Sequence, residues 1–323
     1  MKLFLCLALS VSAAFSAEGY KVLQKIHIGG SGAWDRLTLD EAGRRLYIAN
    51  DSKVVVVDID AGKVVGEVPS GPGIHAVAVV PEAGKGFITN GPTDNVTIFD
   101  LKTLKTGAQV STGTDPGAIV LEPKTGKVYA FNLATEDKTA TVIDPKAGTA
   151  AADPVVLGGK ATAAVPDGAG KIWLALQITS EDWNVSSEVG VLDAETGKIL
   201  RHYPIAPCDR PADLALDLKS KRAYAVCNNA KMAVVDMDSG KVLATVTIGK
   251  LASGVGVDGG IAFTANGGDG TMTVVTENAG KFEAAEQVPT AKGARVLRVD
   301  SKTHKVFIPA KGSEGLEVLV LGK

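Results

Sequence analysis

Between Arg44 and Val68 the chain reads RRLYIANDSKVVVVDIDAGKVVGEV. Short apolar runs rich in Val, Ile and Tyr alternate with the polar clusters Asn-Asp-Ser-Lys and Asp-Ala-Gly-Lys. Runs of this length and composition, bounded by turn residues, predict three strands joined by tight turns. Three short strands cannot bury themselves, so the stretch must be part of something larger.

The pattern recurs. LYIAN (46–50) aligns with GFITN (86–90), VYAFN (128–132), IWLAL (172–176), AYAVC (223–227), AFTAN (262–266) and VFIPA (306–310). Every copy has an aromatic at its second position, namely Tyr47, Phe87, Tyr129, Trp173, Tyr224, Phe263 and Phe307. Six of the copies are followed by a β-branched run closing at Asp58, Asp100, Asp144, Asp193, Asp236 or, in the sixth, Thr276. Glycine follows four residues later at 62, 148, 197, 240 and 280, with Leu104 as the exception. Asp can bond its own turn backbone and Gly supplies positive φ. The Asp-to-Asp steps of 42, 44, 49 and 43 residues, with a further strand before each aromatic and another after each turn, give a four-stranded meander of propeller-blade length. The repeats begin near residues 33, 73, 115, 160, 209, 251 and 292. The seventh lacks its fourth strand. YKVLQKIHIG (20–29) can supply it and close the ring. The expected fold is all-β, a seven-bladed β-propeller of four-stranded antiparallel blades with an N-terminal strand completing the last.

Charge and ends narrow the setting. MKLFLCLALSVSAAFSA (1–17) has the basic, apolar and small-residue order of a signal peptide, leaving 18–323 as a single domain. Cys6 lies inside the apolar run, which argues against a lipidated cysteine. No second long apolar stretch follows, so no membrane insertion is expected after cleavage, and a periplasmic or secreted monomer is. The formal net charge of −2 gives no electrostatic ground for non-specific binding to nucleic acid or acidic membrane. Cys208 and Cys227 remain as a pair in an oxidising compartment. Cys208 precedes an inner strand and Cys227 ends the strand beside it, so a disulfide is expected, against the alternative of two free thiols.

LYIAN, its near copy GFITN and the VVVVD run with its glycine resemble the YVTN repeats of YncE-like seven-bladed propellers over essentially the whole mature chain. The last Asn is replaced by Leu176, Cys227 and Ala310 in blades four, five and seven. The resemblance implies an exported or cell-surface protein without an established catalytic role, and some relatives bind DNA.

In a propeller, ligand sites gather where segments enter the inner strands around the channel mouth. The polar residues there include Asp35, Arg36, His75, Asp115, Lys160, Asp209, Arg210, Asp213, Lys292 and Arg295, beside Trp34. Of four histidines only His75 reaches this face, which excludes a multi-His metal site, and no functional metal or cofactor is expected. Trp173 to Asp193 spans 20 residues against 11 to 15 in the other blades measured this way, through an added loop, 177–188, carrying Glu181 and Trp183. That loop is either a binding lip or a cap folded onto blade four. No nucleophile motif is found, and the glycine clusters GGSG and GGDG do not lead into helices, so neither reads as a phosphate cradle.

The expected function is a non-catalytic binding or interaction protein, taking an anionic or small-molecule ligand or a protein partner. The expected contacts are Trp34, Asp35, Arg36, His75, Glu181, Trp183, Arg210 and Arg295. A lactonase-like hydrolase using His75, Arg295 and Asp35 is the alternative. Single-stranded DNA binding is a third reading, weakened by the near-neutral charge.

Overall fold

The computed structural model describes residues 19–30, 33–134, 137–180 and 182–323. The expected leader over 1–17 and Glu181 lie outside the described residues. The chain forms seven antiparallel sheets in sequence order, each a meander from an inner strand outward. Their inner strands are Trp34–Asp40, Ile74–Val80, Pro116–Glu122, Lys160–Pro166, Pro211–Asp217, Ala252–Asp258 and Arg298–Asp300. Blade three splits its outer strand into Thr149–Ala150 and Val155–Val156. In blade seven the outer strand is Lys21–Gly29, paired with Gly315–Gly322 in the register Ile26↔Val318.

The second and third strands of each blade are covered on both faces by neighbouring blades. This is why Lys53–Asp58 reads KVVVVD, with all four valines buried, rather than alternating. The outer strand Lys63–Pro69 has one face to solvent and alternates instead. The apolar residues fall into seven clusters, one for each blade-to-blade interface, and each contains one of the seven repeat aromatics. Tyr47 packs with Ile88 and Phe99 between blades one and two. Phe307 packs with Leu46 and Val55 where blade seven meets blade one. None of the seven is more than 4% exposed, so the repeated ring fills the wedge between sheets.

The outer turns follow from their Asp residues. Asp58 Oδ1 accepts from the backbone N–H of Asp60 (3.0 Å) and Ala61 (2.8 Å). Gly62 then takes φ +63°, and Leu104, in the equivalent place, adopts φ +57°. Thr276 does not open a turn. Its strand continues to Asn278 and reverses through Ala279 and Gly280, both with positive φ. Asn50, the last residue of its strand, is 6% exposed, and its amide donates to Ala33 O (3.2 Å), clipping the second strand to the segment entering the first.

On the face opposite the channel mouth, Arg44 of blade one donates to both carboxylate oxygens of Asp300 in blade seven (2.9 and 2.8 Å) and also holds Asp60. Asp300 is fully buried.

Candidate functional site

One irregularity builds the mouth. In blades one to six the inner strand begins with a register shift against the second strand. In blade one Trp34 faces Asn50 but Leu37 faces Ile48, so Asp35 and Arg36 together oppose one residue. The same slip occurs at His75 and Ala76, between Ile74 and Val77, and single extra residues occur at Thr162 and Ser253. A β-bulge leaves a residue out of the ladder and re-aims its side chain. In blades one, two, four and six the residues at the bulge include polar ones, Asp35 and Arg36, His75, Thr162 and Ser253.

Asp35, His75 and Asp115, the last from the segment just before the third inner strand, form a chain across blades one to three. His75 Nδ1 lies 2.7 Å from Asp35 Oδ2, and Nε2 lies 3.5 Å from Asp115 Oδ1. The Asp35 hydrogen bond, opposed by burial and helped by both carboxylate charges, raises the His75 pKa above the ordinary histidine value. Burial pushes the Asp35 carboxyl up, but the His75 bond and the charges of Arg36, His75 and Arg295 outweigh it and hold it below the ordinary range. Arg295 thus belongs to the same electrostatic cluster.

Arg36 points elsewhere than a contact at the rim would. Its guanidinium reaches across the channel to donate to Thr162 O and lies 3.8 Å from Asp213. Arg298 approaches the same carboxylate at 3.5 Å, and Asp213 also accepts from Val255 N (3.1 Å). These groups bar the neck of a central channel of about 470 Å³, whose further wall is apolar, with Leu39, Val79, Leu121, Leu216 and Val257.

Beside the neck, blades five, six, seven and one enclose a pocket of about 690 Å³ lined by Trp34, Asn228, Leu251, Ser253, Gly267, Gly293 and Arg295, with Ala33. Trp34 and Arg295 are among the contacts expected from the sequence, whereas Asn228, Leu251 and Ser253 are not. Those three are ordinary turn and strand residues, and only the bulge at Ser253 and the φ of +53° at Leu251 mark them.

The long segment of blade four is not a loop but an extended hairpin, Lys171–Thr179 with Val185–Asp193, in continuous register out to Thr179↔Val185. Trp183 sits at its tip with φ +62° and is 81% exposed, so it does not fold back as a cap. Arg210 meets the base of this hairpin through its backbone, its N–H donating to Ser187 Oγ (2.8 Å), while its side chain is exposed. The structure therefore gathers Asp35, His75 and Arg295, turns Arg36 into the neck, and leaves Trp183 on a separate projection. His202 pairs with Glu188 and His304 with Asp258, away from the mouth.

Cys208 and Cys227 form a disulfide with a Cα separation of 5.6 Å. It joins the end of a second strand to the segment entering its inner strand, the two places that Asn50 and Ala33 O link in blade one.

A closed ring of seven four-stranded blades with polar groups gathered at one end of its channel defines a seven-bladed β-propeller with a channel-mouth cleft. Among solved structures it is similar to Kuenenia stuttgartiensis hydrazine synthase (17% identity, TM-score 0.77, 91% of this chain and 97% of that one). It is also similar to the WD40 repeats of RRP9 (10%, 0.75, 94% and 97%) and to U3-55K (10%, 0.72, 93% and 98%). At such identities the likeness shows the fold alone. No family model and no curated protein matches the chain, so the resemblance to YVTN repeats rests on the repeat residues themselves.

Proposed function

We propose that this propeller is an exported, non-catalytic binding protein that receives a small ligand or a protein partner at its channel mouth. The observation that carries the reading is the repeated bulge, which turns Asp35, His75 and Ser253 onto one face beside Trp34 and Arg295. A propeller is a common interaction scaffold, and rigid sheets presenting varied loop residues suit recognition. Export is supported by the leader-like sequence of 1–17 and by the disulfide, a bond at home in oxidising compartments. No helix among the described residues is long and apolar enough to cross a membrane.

The hydrolase reading draws on the Asp35–His75 bond, since a carboxylate orients the histidine in many general-base pairs. Here the second ring nitrogen faces another carboxylate, Asp115, and the raised pKa favours imidazolium. With both ring nitrogens facing carboxylates, the imidazole is placed as a bridge between blades rather than as a free general base.

Thermal-shift screening of the purified protein with charged and neutral small molecules tests the proposal. Hits should raise Tm in the wild type and not in a His75→Ala, Arg295→Ala double variant. Turnover of a lactone panel that disappears in the same variant would replace binding by catalysis.

A further inference from the structure

The pocket beside the neck has a chemistry of its own. Its Trp34 Nε1 is buried without a hydrogen-bond partner among the described residues. A buried indole N–H normally finds an acceptor. The Arg295 guanidinium, the Asn228 amide and the Ser253 hydroxyl line the same space, and their side chains likewise make no hydrogen bond among the described residues. Counted by side-chain type, Arg295, Asn228 and Ser253 offer about eight N–H and O–H donors against two acceptor oxygens. The nearby carboxylate Asp35 is already bonded to His75. Such a pocket is complementary to an acceptor-rich, negatively charged group, and the planar guanidinium fork matches a carboxylate.

The rest of the lining is apolar or bare. Leu251 is 63% exposed and is held in the left-handed region, φ +53°, where its apolar side chain faces the pocket rather than a core. Trp34 lines the same pocket. Gly267 and Gly293 in the lining offer backbone only, and at Gly267 a Cβ would come within 2.9 Å of Arg295 Cβ. Two apolar faces with an unobstructed wall suit a flat ring. A volume of about 690 Å³ is in the range of small-molecule sites.

We propose that this pocket binds a planar aromatic carboxylate, its ring against Trp34 and Leu251 and its carboxylate on Arg295, with Asn228 and Ser253 as further donors. The proposal rests on the channel-mouth reading above and gives it a ligand class.

Isothermal titration with 2-naphthoate, its neutral amide 2-naphthamide, and acetate tests it. Naphthoate should bind, with the amide and acetate each weaker by about tenfold or more. Arg295→Gln should reduce naphthoate affinity by about tenfold or more, the scale of one charge-assisted bond. Leu251→Gly should weaken binding severalfold while keeping or raising Tm, because it removes exposed apolar surface and relieves the left-handed backbone. That combination separates a ligand contact from a structural residue. Equal binding of naphthamide, or undiminished binding by Arg295→Gln, overturns the proposal. So does a flat naphthoate titration up to about 10 mM. If naphthoate fails while the wider screen still gives hits lost in the His75, Arg295 double variant, this ligand class is wrong and the mouth remains the binding surface. If both fail, both readings fall.

Discussion

His75 shows how one residue acquires a role from its place in the repeat. It occupies the bulged start of an inner strand, and the carboxylates on either side come from blades one and three. Its raised pKa means that the Asp35 pair stabilises the fold most fully below the ordinary histidine value of 6.5, and that this contribution is lost as pH rises through the higher folded value. Asp35 has the opposite sign. Its lowered pKa gives stability above the ordinary 3.8 that is lost as pH falls through the folded value. The Tm difference between wild type and His75→Gln should therefore be largest between about pH 4 and 6.5 and shrink above that window. A pH-independent difference would show that the pair contributes packing only. His75, Asp35 and Arg295 were legible in the sequence because charged residues at repeat boundaries stand out against turn-forming ones. Ser253, Asn228 and Leu251 were not, because their roles come from a register slip and a backbone angle that residue type does not encode. The Asn50 clip is equally silent in the sequence, since a polar residue at a strand end does not show that its amide holds Ala33 O.

At the scale of the element, strands and outer turns follow closely from the sequence because each obeys a local rule. Valine runs require cover on both faces, and Asp with Gly four residues on requires the turn. Departures arise where two strands agree to continue together. The blade-four hairpin extends through Gln177, Thr179, Ser186 and Ser187, polar residues that carry no strand signal alone but pair in register across the hairpin. The sixth blade lengthens in the same way to Asn278. The disulfide is an element-scale device too, a covalent version of the asparagine clip in a blade that lacks the asparagine. Closing a loop over a sequence separation of 19 should stabilise the protein by about 3 kcal/mol in the chain-entropy account. Urea denaturation of the Cys208→Ser, Cys227→Ser double variant should show a loss of that size with the m-value retained, and an unchanged midpoint would refute it.

The whole molecule is held shut at one seam. There the chain pairs Lys21–Gly29 with Gly315–Gly322 on the rim and Arg44 with Asp300 below. Burial disfavours the Asp300 carboxylate, yet the Arg44 fork and the Thr303 hydroxyl hold its pKa at about 2. The pair's contribution is present above the ordinary carboxylate range and is lost as pH falls through about 2, a difference worth about 2 kcal/mol. Arg44→Ala leaves that buried charge without its cation and should cost roughly 3 to 5 kcal/mol in urea at neutral pH, with Arg44→Ala, Asp300→Asn recovering part. Equal stability of wild type and Arg44→Ala would remove the seam from the account. The ring was legible because seven copies lacking one strand, with a spare strand at the other end, have one arrangement that leaves no open edge. The arginine clasp was not, since residues 44 and 300 belong to different repeats and nothing local relates them. The seam also orders events in time. Its first strand leaves the ribosome long before its partner exists, so during synthesis six blades can stack while that segment stays unpaired. Joining sequence ends this far apart makes closure the most non-local step available to the chain. Until residue 322 has been made the protein is a growing arc with two raw edges.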